Sequence, residues 1–450
     1  MYFGVVSRYS RPSSMSNKCT LFTRWLHTLE SRRNEAAVID LQTGAVWNFA
    51  EIETLLADKP SCDTPILAQT SGIDLIINTL WAWREQVPLF PLEPNVPFAL
   101  EDLDGLPEGV AHIKRTSGTT GTPRLVLFSD GQIQADADQI VATMGLDQYE
   151  GNIGVISEVH SYGFSNLVLP LLLYGMPLLM CGSPLPENLR SALLKVTGRV
   201  ILSGVPAMWN AWEKSGVLIN APIGLAISAG APLSLELEKR IFSSCGIKVH
   251  NFYGSSECGG ISYDNSKDVR QSSKIAGTPI TGVELKVNTD GRLLVKSAAA
   301  GIGYWPLELT EEMGKGRFLT GDLAEINHVS KELRLIGRMT EVINVAGRKL
   351  SPFEVEQALM SITSIDCCVV FGVPSKVTDR VEDIVVCYNA SAEIGKEELQ
   401  ATLKKHLKKW QIPRILWKNN KLKTSNLGKV SRSYWRQEYL SLTDRGDRPE

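Results

Sequence analysis

Apolar and polar positions along the chain switch between a helical period and short strand-like runs. Between Cys19 and Leu29, Leu21, Phe22, Trp25, Leu26 and Leu29 recur at helical spacing, which predicts an amphipathic helix laid on a body. Ala37-Val38-Ile39 and Val46-Trp47-Asn48-Phe49 read as a strand pair about the Gln42-Thr43-Gly44 turn. Pro65 to Ala68 and Val87 to Phe90 read as strands flanking an apolar helix over Asp74 to Trp83, although Pro88 weakens the strand signal of the second. Similar units recur through Val155-Ile156, Pro177 to Met180, Val200 to Leu202 and Leu225 to Ile227. Alternation of this kind predicts parallel sheets covered by helices, so the expected fold class is α/β, with a layered body running to about residue 275.

From Lys274 to Leu335 the pattern changes, with Gly277, Gly282, Gly291 and Gly301 punctuating short runs such as Glu284 to Val287 and Arg292 to Val295. A β-rich subdomain over about 275–336 fits. After Gly337-Arg338 the pattern resets with Val342 to Val345, a helix start at Ser351-Pro352-Phe353-Glu354, and strands at Cys367 to Phe371 and Asp383 to Cys387. The expected order is a leader over 1–18, an N-terminal domain over 19–338 that includes the β-rich part, and a small α+β C-terminal domain over 339–450.

Length and composition add bounds. A chain of 450 residues, 43% of them apolar, is long enough for two or three domains with a substantial core. The net charge of −2 gives no reason to expect nucleic acid as a partner. The eight Cys form no C-x-x-C pair and no zinc-ligand spacing, so free thiols in a reducing compartment, the cytoplasm, are expected. The apolar run Leu167 to Met180 is broken by Pro170, Gly175 and Pro177; it is too interrupted for a membrane span and reads as core. Met1 to Leu29 carries Arg and Ser but no acid, a composition shared with organelle transit peptides, and lacks the apolar centre of a secretory signal; a disordered leader over 1–18, or a start codon placed upstream of Met15, is expected.

The chemistry starts at Lys114 to Arg124, K-R-T-S-G-T-T-G-T-P-R. A loop this rich in Gly can fold its backbone N–H groups onto a polyanion, and Thr116, Ser117, Thr119, Thr120 and Thr122 add hydroxyl donors. Phosphate is the natural ligand. The strand-like Leu125 to Phe128 follows, then a helix start at Ser129; the P-loop order, G-x-x-x-x-G-K-[ST] leading into a helix, is not met.

This segment resembles the phosphate loop of the adenylate-forming superfamily, which includes acyl- and aryl-CoA synthetases, peptide-synthetase adenylation domains and luciferases. The family pattern is roughly [ST]-S-G-[ST]-[TS]-G-x-P-K, and Arg124 stands where Lys is usual. The resemblance implies that Thr116, Ser117, Gly118, Thr119, Thr120, Gly121 and Arg124 hold the ATP phosphates. Asn251-Phe252-Tyr253-Gly254-Ser255-Ser256-Glu257 resembles the family's Y-G-x-[ST]-E segment, in which the hydroxyl, here Ser256, meets the α-phosphate and Glu257 binds Mg²⁺, with Thr120 as a second metal contact. Ser228 to Leu233, with Gly230, Ala231 and Pro232, resembles the segment lying along the adenine. Thr320-Gly321-Asp322-Leu323 matches the T-G-D motif, whose carboxylate accepts from the ribose hydroxyls, and Arg338 resembles the second ribose contact. The resemblance puts the hinge two residues further on, where this chain has Thr340 rather than Asp or Lys.

Val345 to Lys349 resembles the loop that faces the active site during thioester formation, and Lys423 to Val430 resembles the C-terminal catalytic motif that ends in Gly428-Lys429. Six segments thus match in order over about residues 110–430. The implied catalytic groups are Lys429, which offsets charge at the α-phosphate, Glu257, and His160 at the mouth of the acid pocket. No acid lies between Val159 and Leu169, so an α-amino substrate lacks its counter-charge there and a plain aryl or aliphatic carboxylic acid is expected. Lys404 to Lys423 holds seven Lys, Arg414 and no acid; it reads as a helix face with Leu403, Leu407 and Trp410 beneath, or as a surface for CoA phosphates or an acidic carrier protein. The expected reaction is an AMP-forming ligation using ATP and Mg²⁺ with CoA as the thiol. The alternatives are loading of an acyl carrier protein and nucleotide binding without turnover.

Overall fold

The computed structural model describes residues 20–116, 123–306, 312–362, 364–375, 381–423 and 430–445. The first helix, Leu21–Arg32, lies where the apolar spacing predicts. Thr20 caps it by accepting from Thr23 N at 3.1 Å, and Leu21, Trp25 and Leu29 are buried. Ala36–Asp40 and Val46–Asn48 pair antiparallel, with Val38 opposite Trp47.

The larger sheet grows from that pair. Its parallel part runs Ala36–Asp40, Leu178–Met180, Gly151–Gly154, Val200–Gly204, Ile223–Ser228, Val249–Ser255. Antiparallel strands continue it through Gly259–Tyr263, Ile275–Pro279, Leu333–Arg338, Arg317–Ile326, Arg292–Lys296 and Glu284–Val287. The change to antiparallel pairing falls at Gly259–Tyr263, one strand before the compositional change near residue 275, and hydrogen bonding crosses that change without a break. One hydrophobic cluster spans both sides, joining Ile140, Leu225 and Ile261 to Leu293, Val295 and Leu333.

A second sheet is ordered Gly303–Trp305, Leu125–Phe128, His112–Arg115, Leu89–Pro91, Ile66–Ala68. The helix Gly72–Glu85 joins the last two strands, which run parallel as the alternation predicts. The helix expected after Ser129 is Asp130–Met144; the Ser129 N–H bonds the Gln132 carboxamide at 2.8 Å in a capping box.

Beyond Arg338 come the hairpin Ile343–Val345/Arg348–Leu350, the helices Pro352–Met360, Lys396–His406 and Arg432–Asp444, and a three-stranded sheet of Ile365–Pro374, Glu382–Ala390 and Ile415–Lys418. These elements enclose their own apolar clusters, one around Leu350, Val355 and Val386, another around Val369, Phe371 and Trp417. They meet the preceding body through Lys274 Nζ to Glu354 Oε1 at 2.8 Å and Ser273 Oγ to Gln357 Oε1 at 2.6 Å.

Two expected elements differ. The strand expected at Val155-Ile156 ends at Gly154, and the basic helix stops at His406. Leu407 is extended, and Lys408 N–H bonds the Gln411 carboxamide at 2.9 Å, which starts a separate 3₁₀ turn at Lys409–Gln411. Lys408 and Lys409 therefore do not continue the face of Lys404 and Lys405. Among the described residues no helix is long and apolar enough to cross a membrane.

Candidate active site

The glycine-rich loop springs from two antiparallel strands, with Arg115 opposite Leu125. Thr116 N–H bonds Arg124 O at 2.9 Å and Arg124 N–H bonds Thr116 Oγ1 at 2.9 Å, which closes the neck of the loop. Ser117, Gly118, Thr119, Thr120 and Gly121 lie outside the described residues. The loop is shorter than its composition implies, because Lys114 and Arg115 belong to the strand. Lys114 turns inward and is buried, 4.7 Å above the Phe128 ring and 3.4 Å from Asp136 Oδ2. It is thus unavailable to a phosphate.

Asp136 accepts from Ser165 Oγ at 2.6 Å and from Gly260 N–H at 3.1 Å. A side chain at Gly259 (φ +68°) would put its Cβ 2.1 Å from Asp136 Oδ1, so Gly is required there. One buried carboxylate thereby ties the strand below the neck to the hairpin behind Glu257.

The Arg124 guanidinium lies 3.3 Å from the centroid of the Tyr304 ring. Tyr304 reaches it because Gly303–Trp305 pairs with Leu125–Phe128, Tyr304 opposite Val126. Its hydroxyl donates to Glu257 Oε1 at 3.2 Å, and burial together with the Glu257 charge pushes the phenol well above its ordinary range. Gly301 N–H bonds Glu257 O at 2.9 Å. Burial pushes the Cys258 thiol up to about 12, so next to Glu257 stands a protonated sulfur rather than a nucleophile.

A second link joins the other motifs. Tyr253 Oη donates to Asp322 Oδ2 at 2.6 Å, and Arg338 Nε to Asp322 Oδ1 at 3.2 Å; Asp322 and Arg338 are cross-strand partners. Burial disfavours the Arg338 charge, but Asp322 and Glu341 more than offset it. On the same strand as Tyr253, Asn251 is buried with its amide 3.4 Å from Ala276 O, and Phe252 is buried in the core, leaving mainly their backbone to meet a ligand. Gly254 is exposed near the end of that strand, and Ser256 is half-buried in the turn that follows it. Gly230, Ala231 and Pro232 come just after Ile223–Ser228, so both loops sit at the carboxyl ends of parallel strands, where open α/β sheets hold ligands.

His160 stands before the short turn Ser161–Gly163, with Nε2 2.9 Å from Glu93 Oε1, which also accepts from Ser157 Oγ at 2.8 Å. A Cβ at Gly163 would fall 2.0 Å from Ser157 O. Although no acid lies within this segment, the fold brings Glu93 to it from the strand end at Leu89–Pro91. Burial first, and then Glu93, pushes the Glu158 carboxyl above its usual range. Lys429 lies outside the described residues. Ala346 (φ 51°) and Gly347 (φ 79°) form the two-residue turn of the hairpin, and Arg348 lies 5.5 Å from the Trp410 ring centroid.

Sequence reasoning missed Tyr304, Asp136 and Glu93. A signal for Tyr304 existed in the aromatic pair Tyr304-Trp305 closing a glycine-rich run. Among the described residues no three His, Cys, Asp or Glu converge as a metal cage. A single carboxylate, Glu257, beside a phosphate loop is nonetheless a fitting donor set for Mg²⁺, which binds through one or two carboxylates plus substrate phosphates.

An α/β body with motif loops at its strand ends and a smaller α+β unit behind them is the fold of adenylate-forming enzymes. Residues 49–305 match the AMP-binding enzyme family, and the chain belongs to that family. Long-chain-fatty-acid–CoA ligase of Escherichia coli O6:H1 is 26% identical over 434 residues, covering 89% of this chain and 77% of the relative. Feruloyl-CoA synthase of Amycolatopsis sp is 23% identical over 365 residues, covering 77% and 72%. The solved structure of ATP-bound MatB from Rhodopseudomonas palustris superposes with a TM-score of 0.80 at 20% identity, covering 94% of this chain and 99% of that one.

Proposed function

We propose that this chain is an AMP-forming acid–thiol ligase that activates an aryl or aliphatic carboxylic acid and passes the acyl group to CoA. The observation that supports this best is the junction at Tyr304, where Arg124 at the end of the phosphate loop and the Glu257 carboxylate meet on one side chain. Residues 19–338 form the body in this reading and 339–450 the lid.

In the first half-reaction a carboxylate oxygen of the acid bonds the α-phosphorus as the bond to pyrophosphate breaks. Arg124 and the loop hydroxyls face the phosphates, Asp322 and Arg338 face the ribose, and Gly230 to Pro232 lie along the base. Mg²⁺, when bound at Glu257 and Thr120, neutralises phosphate charge. Lys429 opposes the charge that gathers between carboxylate and phosphorus, and His160, held by Glu93, borders the acid pocket. In the second half-reaction the thiolate attacks the acyl carbon and AMP leaves with the bonding pair. The seven described cysteines are free thiols, which fits a reducing compartment such as the cytoplasm.

The test is pyrophosphate exchange with ferulate, 2-succinylbenzoate, palmitate and shorter fatty acids, followed by CoA or acyl carrier protein as acceptor. Exchange with at least one acid and a thioester with CoA is expected. Absence of exchange and of trapped adenylate with every acid would overturn the reading, and thioester on carrier protein alone would transfer the second half-reaction to that acceptor.

A further inference from the structure

We propose that Arg432 and Glu341 form a positioning pair that couples the hinge to the catalytic lysine; this rests on the reading of Lys429 given above. Arg432 is the first residue of the last helix and lies three positions after Lys429. Each of its guanidinium nitrogens is engaged. Nε donates to Val370 O at 2.7 Å, Nη2 to Glu356 Oε1 at 2.7 Å, and Nη1 pairs with Glu341 Oε2 at 3.1 Å. Glu356 Oε1 also accepts from Val370 N–H at 2.8 Å, so the carboxylate locks helix Pro352–Met360 to strand Ile365–Pro374 at the same point. All three charged side chains are largely buried, at 19%, 22% and 17% exposure for Arg432, Glu341 and Glu356.

The partner at 341 gives this knot its role. On the body side of the hinge, Arg338 is held by Asp322, and Met339 N–H bonds Gly321 O at 2.9 Å. On the other side Glu341 pairs with Arg432, and its charge also supports Arg338. Between the two anchors lie Met339 and Thr340, inside a turn in which Glu341 N–H and Val342 N–H each bond Arg338 O at 3.0 Å. A rotation there carries Glu341, and with it Arg432 and the start of the last helix, as one piece. A planar guanidinium with three fixed partners transmits such a rotation with little slack. The pair therefore ties the position of Lys429 to the hinge angle.

Because Arg432→Gln also strands Glu356, the variant that spares the Glu356 lock is Glu341→Gln. It also removes a charge beside Arg338, so KM for ATP is measured alongside, and a loss confined to KM would overturn the proposal. Arg432→Lys keeps the charge and leaves Glu341 in place without the fork. Each is assayed with the acid that gives exchange in the wild type, for both half-reactions: pyrophosphate exchange, and thioester formation from the synthetic adenylate with CoA. Exchange is expected to fall by ~10- to 100-fold, the cost of a displacement near 1 Å at a reacting centre. The second step should change less than about twofold, because it does not use Lys429. Parallel loss in both steps would overturn the proposal, since it would mark a pair that merely holds the lid together. Unchanged exchange in Glu341→Gln alongside lost exchange in Lys429→Ala would overturn it alone. Unchanged exchange in Lys429→Ala, or no exchange with any acid, would overturn it together with the reading on which it rests.

Discussion

Arg124 occupies a position where the family usually carries Lys, and the difference has a structural partner: a guanidinium can lie flat on the Tyr304 ring, whereas an ammonium meets it as a point charge. Tyr304→Leu removes that support together with the hydroxyl on Glu257. We expect KM for MgATP to rise roughly 5- to 30-fold in steady-state kinetics, the equivalent of about 1–2 kcal/mol. Tyr304→Phe, which keeps the ring, should lose less; equal effects would show that the ring contributes nothing. Lys429→Ala should slow acid-dependent exchange by roughly 10²- to 10³-fold with ATP affinity kept. The motif residues were legible because each stands in a short run of fixed spacing. The partners of Tyr304, Asp136 and Glu93 were not, because they come from distant segments and only the tertiary fold makes them neighbours.

At the scale of elements, the strand Val249–Ser255 and the turn after Ser228 rest on a buried ionic cluster. Glu238 accepts from Arg270 Nε at 2.8 Å and from Lys248, which also donates to Asp264 Oδ2 at 2.6 Å. Arg270 Nη2 bonds Leu233 O at 2.8 Å and Nη1 bonds Ile275 O at 2.7 Å. Removing one member leaves an uncompensated buried charge, so Arg270→Met should cost about 3–5 kcal/mol in denaturant unfolding. A loss under 1 kcal/mol would mean the cluster is already solvated. Helix starts and strand pairs of this body were readable from Pro, Gly and capping residues. The stop at His406 was not, because Gln411, which caps the new turn, is itself held by its Nε2 bond to Glu354 Oε2 at 2.8 Å, a partner distant in sequence.

Across the whole molecule, buried imidazoles set a dependence on pH. Burial, with Lys114 nearby, holds His112 well below 6.5, and burial likewise lowers His250. Their unfolded forms take up protons near pH 6.5 while the folded forms refuse them, so stability falls as pH drops below that value. The slope reaches at most about 1.4 kcal/mol per pH unit for each site. Urea midpoints should be lower at pH 5.5 than at 7.5, with a smaller difference in His112→Gln; identical midpoints at both values would contradict the assignment. The layered class and the smaller C-terminal unit were visible in the alternation of patterns, whereas the unbroken sheet across residue 275 was not, because composition reports local content and not who pairs with whom. The outermost strand of the smaller sheet, Gly303–Trp305, comes from the far side of that compositional border. A recombinant fragment cut near residue 275 would therefore bare the apolar flank of Leu125–Phe128 and invite edge-to-edge clumping, and a cut that leaves a soluble fragment belongs after residue 338 instead.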